Sequence, residues 1–135
     1  MRLLLDTHVF IWLIGEPERL PGLTLGAIRD QHNDVYLSVV SLWEIIVKYQ
    51  IGKMPLPEPP DRYIPAQREK HLIGNLPLDE ASVSQLSKLP MTHRDPFDRM
   101  LVCQAIEHDL TIVTVDRIIS DYPVSVFDQI QASDS

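Results

Sequence analysis

The residues best placed to do chemistry are four acids. Asp6 directly follows the apolar run Leu3-Leu4-Leu5, and Glu44 lies early in a stretch of helical periodicity. Asp98 comes just after Asp95-Pro96, and Asp116 directly follows a β-branched run at 111–115. Each would stand at the end of a strand or in the first turn of the helix after one. In a parallel sheet at least three of them would project from one edge into one crevice. Carboxylates gathered without basic partners repel one another, and one or more protonates unless a cation is bound. Hard oxygen donors favour Mg²⁺ or Mn²⁺ over zinc or copper. Two such ions about 3.5–4 Å apart activate a water and stabilise the leaving oxygen of a phosphodiester.

Simpler roles compete for these acids. Ser41-Leu42-Trp43-Glu44 fits the S-x-x-E capping box, in which Glu44 bonds the backbone of Ser41. Asp95-Pro96-Phe97-Asp98 reads equally as an N-cap, a proline at the first helical position and an acid favoured by the helix dipole. Asp116 would cap the turn that follows it. Asp6 stands apart, because a carboxylate at the end of a buried strand carries a desolvation cost that a bound cation would offset. A cap on the helix starting at Thr7 is the competing role there.

Strands and helices must alternate to position such a set. Residues 2–5 predict a short buried strand, and Val9, Ile11, Trp12 and Leu13 a helix ending near Gly15, with Pro17 beyond it. Thr24 is expected to cap a second helix to about His32, before a turn at Asn33-Asp34 and a strand at 35–39. Ser41 opens a third helix, with Trp43, Ile46, Val47 and Ile51 at helical spacing and Gly52 closing it. Five prolines (Pro55, Pro57, Pro59, Pro60 and Pro65) exclude regular structure for 54–65. Residues 63–71 predict a helix, 73–78 a strand, and 79–89 a helix capped by Asp79. A helix from Asp95-Pro96, a strand at 111–115 and a last edge strand at 123–127 follow. This alternation predicts an α/β fold with parallel pairing and helices on both faces of the sheet. Residues 1–128 are expected to form a single domain, with a polar tail at 129–135.

A chain of 135 residues suits one domain whose core needs no cross-links. Cys103 is the sole cysteine, which rules out an intramolecular disulfide and a cysteine zinc site and fits a reducing compartment. The apolar runs at 3–5 and 9–14 fall short of the roughly 7–15 residues of a signal peptide or the roughly 20 of a spanning helix. The expectation is a soluble cytoplasmic protein with no membrane contact. The net charge of −7 runs against the basic footprint of a nucleic-acid binder, but setting the four candidate acids aside brings it to −3. Lys48, Lys53, Arg62, Arg68 and Lys70 place five of the twelve basic residues in one stretch. That stretch is either a phosphate-contacting rim or a solvated surface. Arg94 and Arg99 would meet phosphate or pair with nearby acids. His8 and His93 neighbour candidate acids, although metal-activated water needs no general base. Trp12 and Trp43 fall on apolar helix faces and are expected in the core, as is Cys103.

Leu3-Leu4-Leu5-Asp6-Thr7-His8 resembles the opening strand and first acid of PIN-domain nucleases. Ser38-Val39-Val40-Ser41-Leu42-Trp43-Glu44-Ile45 is similar to their second motif. His93-Arg94-Asp95-Pro96-Phe97-Asp98-Arg99-Met100-Leu101 is similar to a motif of one bacterial subgroup, and Leu110-Thr111-Ile112-Val113-Thr114-Val115-Asp116 to the final acid segment. The resemblance runs over about 2–127 and is greatest to VapC-type toxins of bacterial toxin–antitoxin pairs. It implies a three-layer α/β/α sandwich with a central, mostly parallel sheet. It also implies Mg²⁺-dependent (or Mn²⁺-dependent) RNA cleavage, a homodimer, and neutralisation by a small antitoxin protein. By matching position, Asp6, Glu44 and Asp98 would be the core metal ligands, and Asp116 would complete or support the site. Thr7 and Thr114 would hold the ligands or a water, and Asp95 is left as a cap. The alternatives are a free-standing RNA-processing nuclease and a catalytically inactive PIN-like module that binds RNA or protein. A phospho-acceptor receiver domain would need paired acids after its first strand and a lysine after a late one, where this chain has Thr7-His8 and Arg117. An Asp-x-Asp-x-Thr phosphatase fails at His8.

Overall fold

Three consecutive leucines give a strand no polar face, so it needs cover on both sides. Arg2–Leu5 (β1) has that cover: Leu3, Leu4 and Leu5 are all 0% exposed in the computed structural model, which describes residues 1–91 and 95–127. His93, Arg94 and the expected tail at 129–135 lie outside the described residues. β1 pairs in parallel with Asp34–Ser38 (β2) on one side and Thr111–Val113 (β4) on the other, while β2 pairs in parallel with Gly74–Leu76 (β3). The resulting order is β3-β2-β1-β4.

Alternation along each strand separates two cores. Leu3, Leu5, Val35, Leu37 and Val113 pack with Val9, Phe10 and Leu13 of Thr7–Gly15 (α1), and with Ile28 of Gly22–Arg29 (α2). Ile45 of Val39–Gln50 (α3) and Ile64 of Pro60–Lys70 (α4) join that cluster. Leu4 and Ile112 face the other way, against Leu101, Val102 and Ala105 of Pro96–His108 (α6). Successive strand side chains point to opposite faces, so one apolar run feeds both layers. The expected three-layer α/β/α sandwich is the observed one. Glu80–Ser84 (α5) and a 3-10 turn at Gln85–Lys88 share the span expected to be one helix.

Several boundaries differ from expectation for identifiable reasons. α2 starts after Pro21 rather than at Thr24, which is buried inside the helix, and it ends at Arg29. α3 begins before Ser41, because the Ser38 hydroxyl accepts from the Val40 N–H at 2.9 Å and supplies the cap. Regular structure returns at Pro60, inside the stretch its prolines were expected to keep irregular. Pro60 sits in the first turn, where its missing N–H has no partner to lose, and Ile64, 1% exposed, anchors the helix despite Pro65. The edge strand expected at 123–127 reduces to a parallel bridge between Val126 and Ile112. Trp43 is not a core residue: it is 57% exposed. Trp12 packs partly buried against the first core with the Arg19 guanidinium 4.2 Å from its ring centre, and Cys103 is fully buried in the second. Among the described residues no helix is long and apolar enough to cross a membrane.

Candidate active site

The chain leaves β1 for β2 on one side and later returns as β4 on the other. In sheets of this kind ligands bind beyond the carboxyl ends of the strands where the order reverses, here those of β1 and β4. Asp6 stands there. It occupies the N-cap position of α1, yet its side chain makes no capping bond. The residue is 4% exposed, and its Oδ2 accepts from the Thr114 hydroxyl at 2.7 Å. Thr114 in turn accepts from the Asp116 N–H at 3.0 Å. The other oxygen of Asp6, Oδ1, is buried with no hydrogen-bond partner. Burial pushes the Asp6 carboxyl up, and the charge of Glu44 adds to that. The Thr114 bond, the His8 charge and the Thr7 backbone pull it back, but the net position is above the ordinary carboxylate value.

Glu44, on α3, is 1% exposed. Its Oε1 accepts from the Thr7 hydroxyl at 2.8 Å, and that hydroxyl lies 2.8 Å from Ser41 Oγ. Each hydroxyl has one proton, so Ser41 donates to Thr7 while Thr7 donates to Glu44. Lys48, one helical turn further on, donates to Glu44 Oε2. The capping-box role is thus absent, since Ser38 caps α3 and Ser41 is turned to Thr7. Burial tends to lower the Lys48 ammonium. The Glu44 bond and charge, with smaller contributions from Asp95 and Asp98, outweigh it and hold the group above its ordinary value.

Asp98 lies half-buried in the first turn of α6 and is spared capping duty by Asp95, whose Oδ1 accepts from the N–H groups of Phe97 and Asp98 at 2.9 and 3.3 Å. The Trp43 and Phe97 rings meet edge-on at 4.9 Å, tying the start of α6 to α3. Asp116 does act as a cap: its Oδ1 accepts from the Ile118 N–H at 3.0 Å at the start of the 3-10 turn Arg117–Asp121.

The fold therefore brings Asp6 into the field of Glu44, and Glu44 and Asp98 into the field of Lys48. Asp116 reaches the group through its backbone N–H and Thr114. Among the described residues, no three His, Cys, Asp or Glu side chains are close-set enough to hold a metal ion as they stand. Mg²⁺ does not demand such a cage, because it keeps several waters and is commonly held by one or two carboxylates plus a substrate phosphate. His8 is exposed beside Asp6. Of the basic stretch, Lys48 alone is shown touching the acids. Arg68 donates to the Ile73 carbonyl at 3.2 Å, and Lys53, Arg62 and Lys70 are exposed. Arg99 donates to the Pro90 carbonyl at 2.9 Å. Lys48 was read in the sequence as one of five basic residues of a rim or solvated surface, and its pairing with Glu44 was missed. The Glu44–Lys48 spacing of one turn was its available signal. Ser41 had none beyond its mistaken role as a cap.

The PIN domain family profile matches residues 3–124. Ribonuclease VapC16 of Mycobacterium tuberculosis is 35% identical over 72 residues, 48% of this chain and 51% of that protein, so the match spans about half of its length. Ribonuclease VapC22 of the same organism is 30% identical over 131 residues, 92% of this chain and 97% of that one. Among solved structures, VapBC2 from Rickettsia felis, bound to a DNA fragment from its promoter, shares the fold with a TM-score of 0.66 at 15% identity, over 95% of this chain and 98% of that one.

Proposed function

The chain belongs to the PIN domain family, and from that premise we propose that it is a divalent-metal-dependent endoribonuclease, the toxin of a toxin–antitoxin pair. The observation that carries the reading is Asp6 Oδ1, a buried carboxylate oxygen with no donor, at the sheet edge where such folds take their ligands. An acid left in that state is offset by a cation, and an all-oxygen donor set selects Mg²⁺ or Mn²⁺. Asp6 and Asp98 would hold the ion, Glu44 completes the acidic set, and Asp116 supports it through Thr114. When bound, the ion supplies an activated water and a positive charge against the scissile phosphate. The chain's own part is positional. Thr114 fixes Oδ2 of Asp6, leaving Oδ1 for the ion, while Ser41 and Thr7 fix Glu44. The nuclease domain is taken to span 1–128 and to work as a homodimer neutralised by a small antitoxin protein. The VapC and VapBC names of its relatives support the pairing.

The test is cleavage of a broad pool of single-stranded RNAs by the purified chain with Mg²⁺ or Mn²⁺. Internal cuts that chelation stops are expected, and Asp98→Asn should lower the rate by about 10²-fold or more while leaving the circular dichroism unchanged. A wild-type chain that cuts nothing in the pool and binds neither ion overturns the proposal.

A further inference from the structure

Both oxygens of Glu44 are already served by the chain, Oε1 by Thr7 and Oε2 by Lys48. Asp6 differs, with Oδ2 served and Oδ1 left without a donor. The two carboxylates therefore do not ask for the same thing. Lys48 also lies in the field of Asp95 and Asp98, so one ammonium stands among acids from both α3 and α6. A divalent ion drawn to those same acids would meet it there. An ordinary surface pair at this helical spacing leaves both partners in water and contributes little. Here Glu44 is 1% exposed and requires a counter-charge throughout.

We infer that the site is a single-ion centre in which Lys48 occupies the position of a second cation. One divalent ion would sit at Asp6, and the Lys48 ammonium, fixed by Glu44, whose charge in turn reaches Asp6, supplies the other positive charge of the acidic set. This rests on the nuclease reading above and refines it, since Glu44 becomes a positioning residue for Lys48. An ammonium has three N–H donors, of which one is given to Glu44. The others suit a phosphodiester oxygen as negative charge builds on it during cleavage.

The deciding experiment counts Mn²⁺ bound per chain, by equilibrium dialysis of the full-length protein. Wild type and Lys48→Arg are each expected to bind one ion, and Lys48→Met, which removes the charge while keeping an unbranched side chain one atom shorter, to bind two. A unit charge about 5 Å from a divalent ion weakens that ion's binding about tenfold even at the dielectric of water, so removing it brings the second ion within range. Two ions on the wild type, or a single ion on a folded Lys48→Met, overturns the inference. If far-ultraviolet circular dichroism shows Lys48→Met unfolded, the wild-type count decides alone. The nuclease reading fails by a different result, a wild type that binds no ion and leaves RNA intact.

Discussion

Asp6 sits where its surroundings disfavour the charged form of its carboxyl. Its folded carboxyl sits above the ordinary value of 3.8, mainly through burial, so the folded chain binds more protons than the unfolded one between those two values. Stability from this group is therefore greatest below 3.8 and is lost as the pH rises through the folded value. Asp6→Asn removes the penalty. Without metal at pH 7 it should melt no lower than wild type, with the difference shrinking as the pH is lowered, while cleavage is abolished. Melting curves at several pH values check this, and a clear destabilisation at pH 7 would count against it. Thr114→Val frees Asp6 Oδ2 and leaves the Asp116 N–H without its acceptor. Loss of such a supporting bond should weaken Mn²⁺ binding by about 10–100-fold, measured by titration calorimetry. Asp6 was legible in the sequence because an acid closing an apolar run is an anomaly. The pairing of Lys48 with Glu44 was not, because a Glu–Lys pair one turn apart looks the same on a solvated helix as in a pocket. Only burial of Glu44 separates the two cases.

Helical periodicity announces an apolar face without saying what lies over it, and the fate of Trp43 follows from that. Its face of α3 reads like that of α1, but the Trp43 ring meets Phe97 edge-on and the residue is left mostly exposed. Phe10 on α1 is fully enclosed. Phe10→Ala should cost about 3–5 kcal/mol in urea unfolding. Trp43→Ala should cost less than about 1.5 kcal/mol, the scale of one edge-on aromatic contact. Equal costs would restore the core assignment. The prolines before α4 mislead for a related reason. Their number argues against structure, yet what matters is where each falls relative to the first turn, and Pro60 falls where helices tolerate it.

At the scale of the molecule, alternation of strands with helices made the fold class legible, and the carboxyl-edge rule singled out the sheet edge at which Asp6 stands. Strand order was another matter. Nothing local in Thr111–Val113 says that it pairs with β1 rather than β3, because parallel partners are chosen by long-range burial. A ligand held only by the folded state should stabilise it by an amount that grows with the logarithm of its excess. Mn²⁺ at 100 times its dissociation constant is expected to raise wild-type stability by about 2.7 kcal/mol and to leave Asp6→Asn unchanged, as thermal melting can show. The bond from Thr114 to Asp6 spans 108 residues. A ribosome making this chain therefore releases Asp6 long before its partner exists, so this carboxylate gains its supporting hydroxyl only once β4 has been made and has paired with β1.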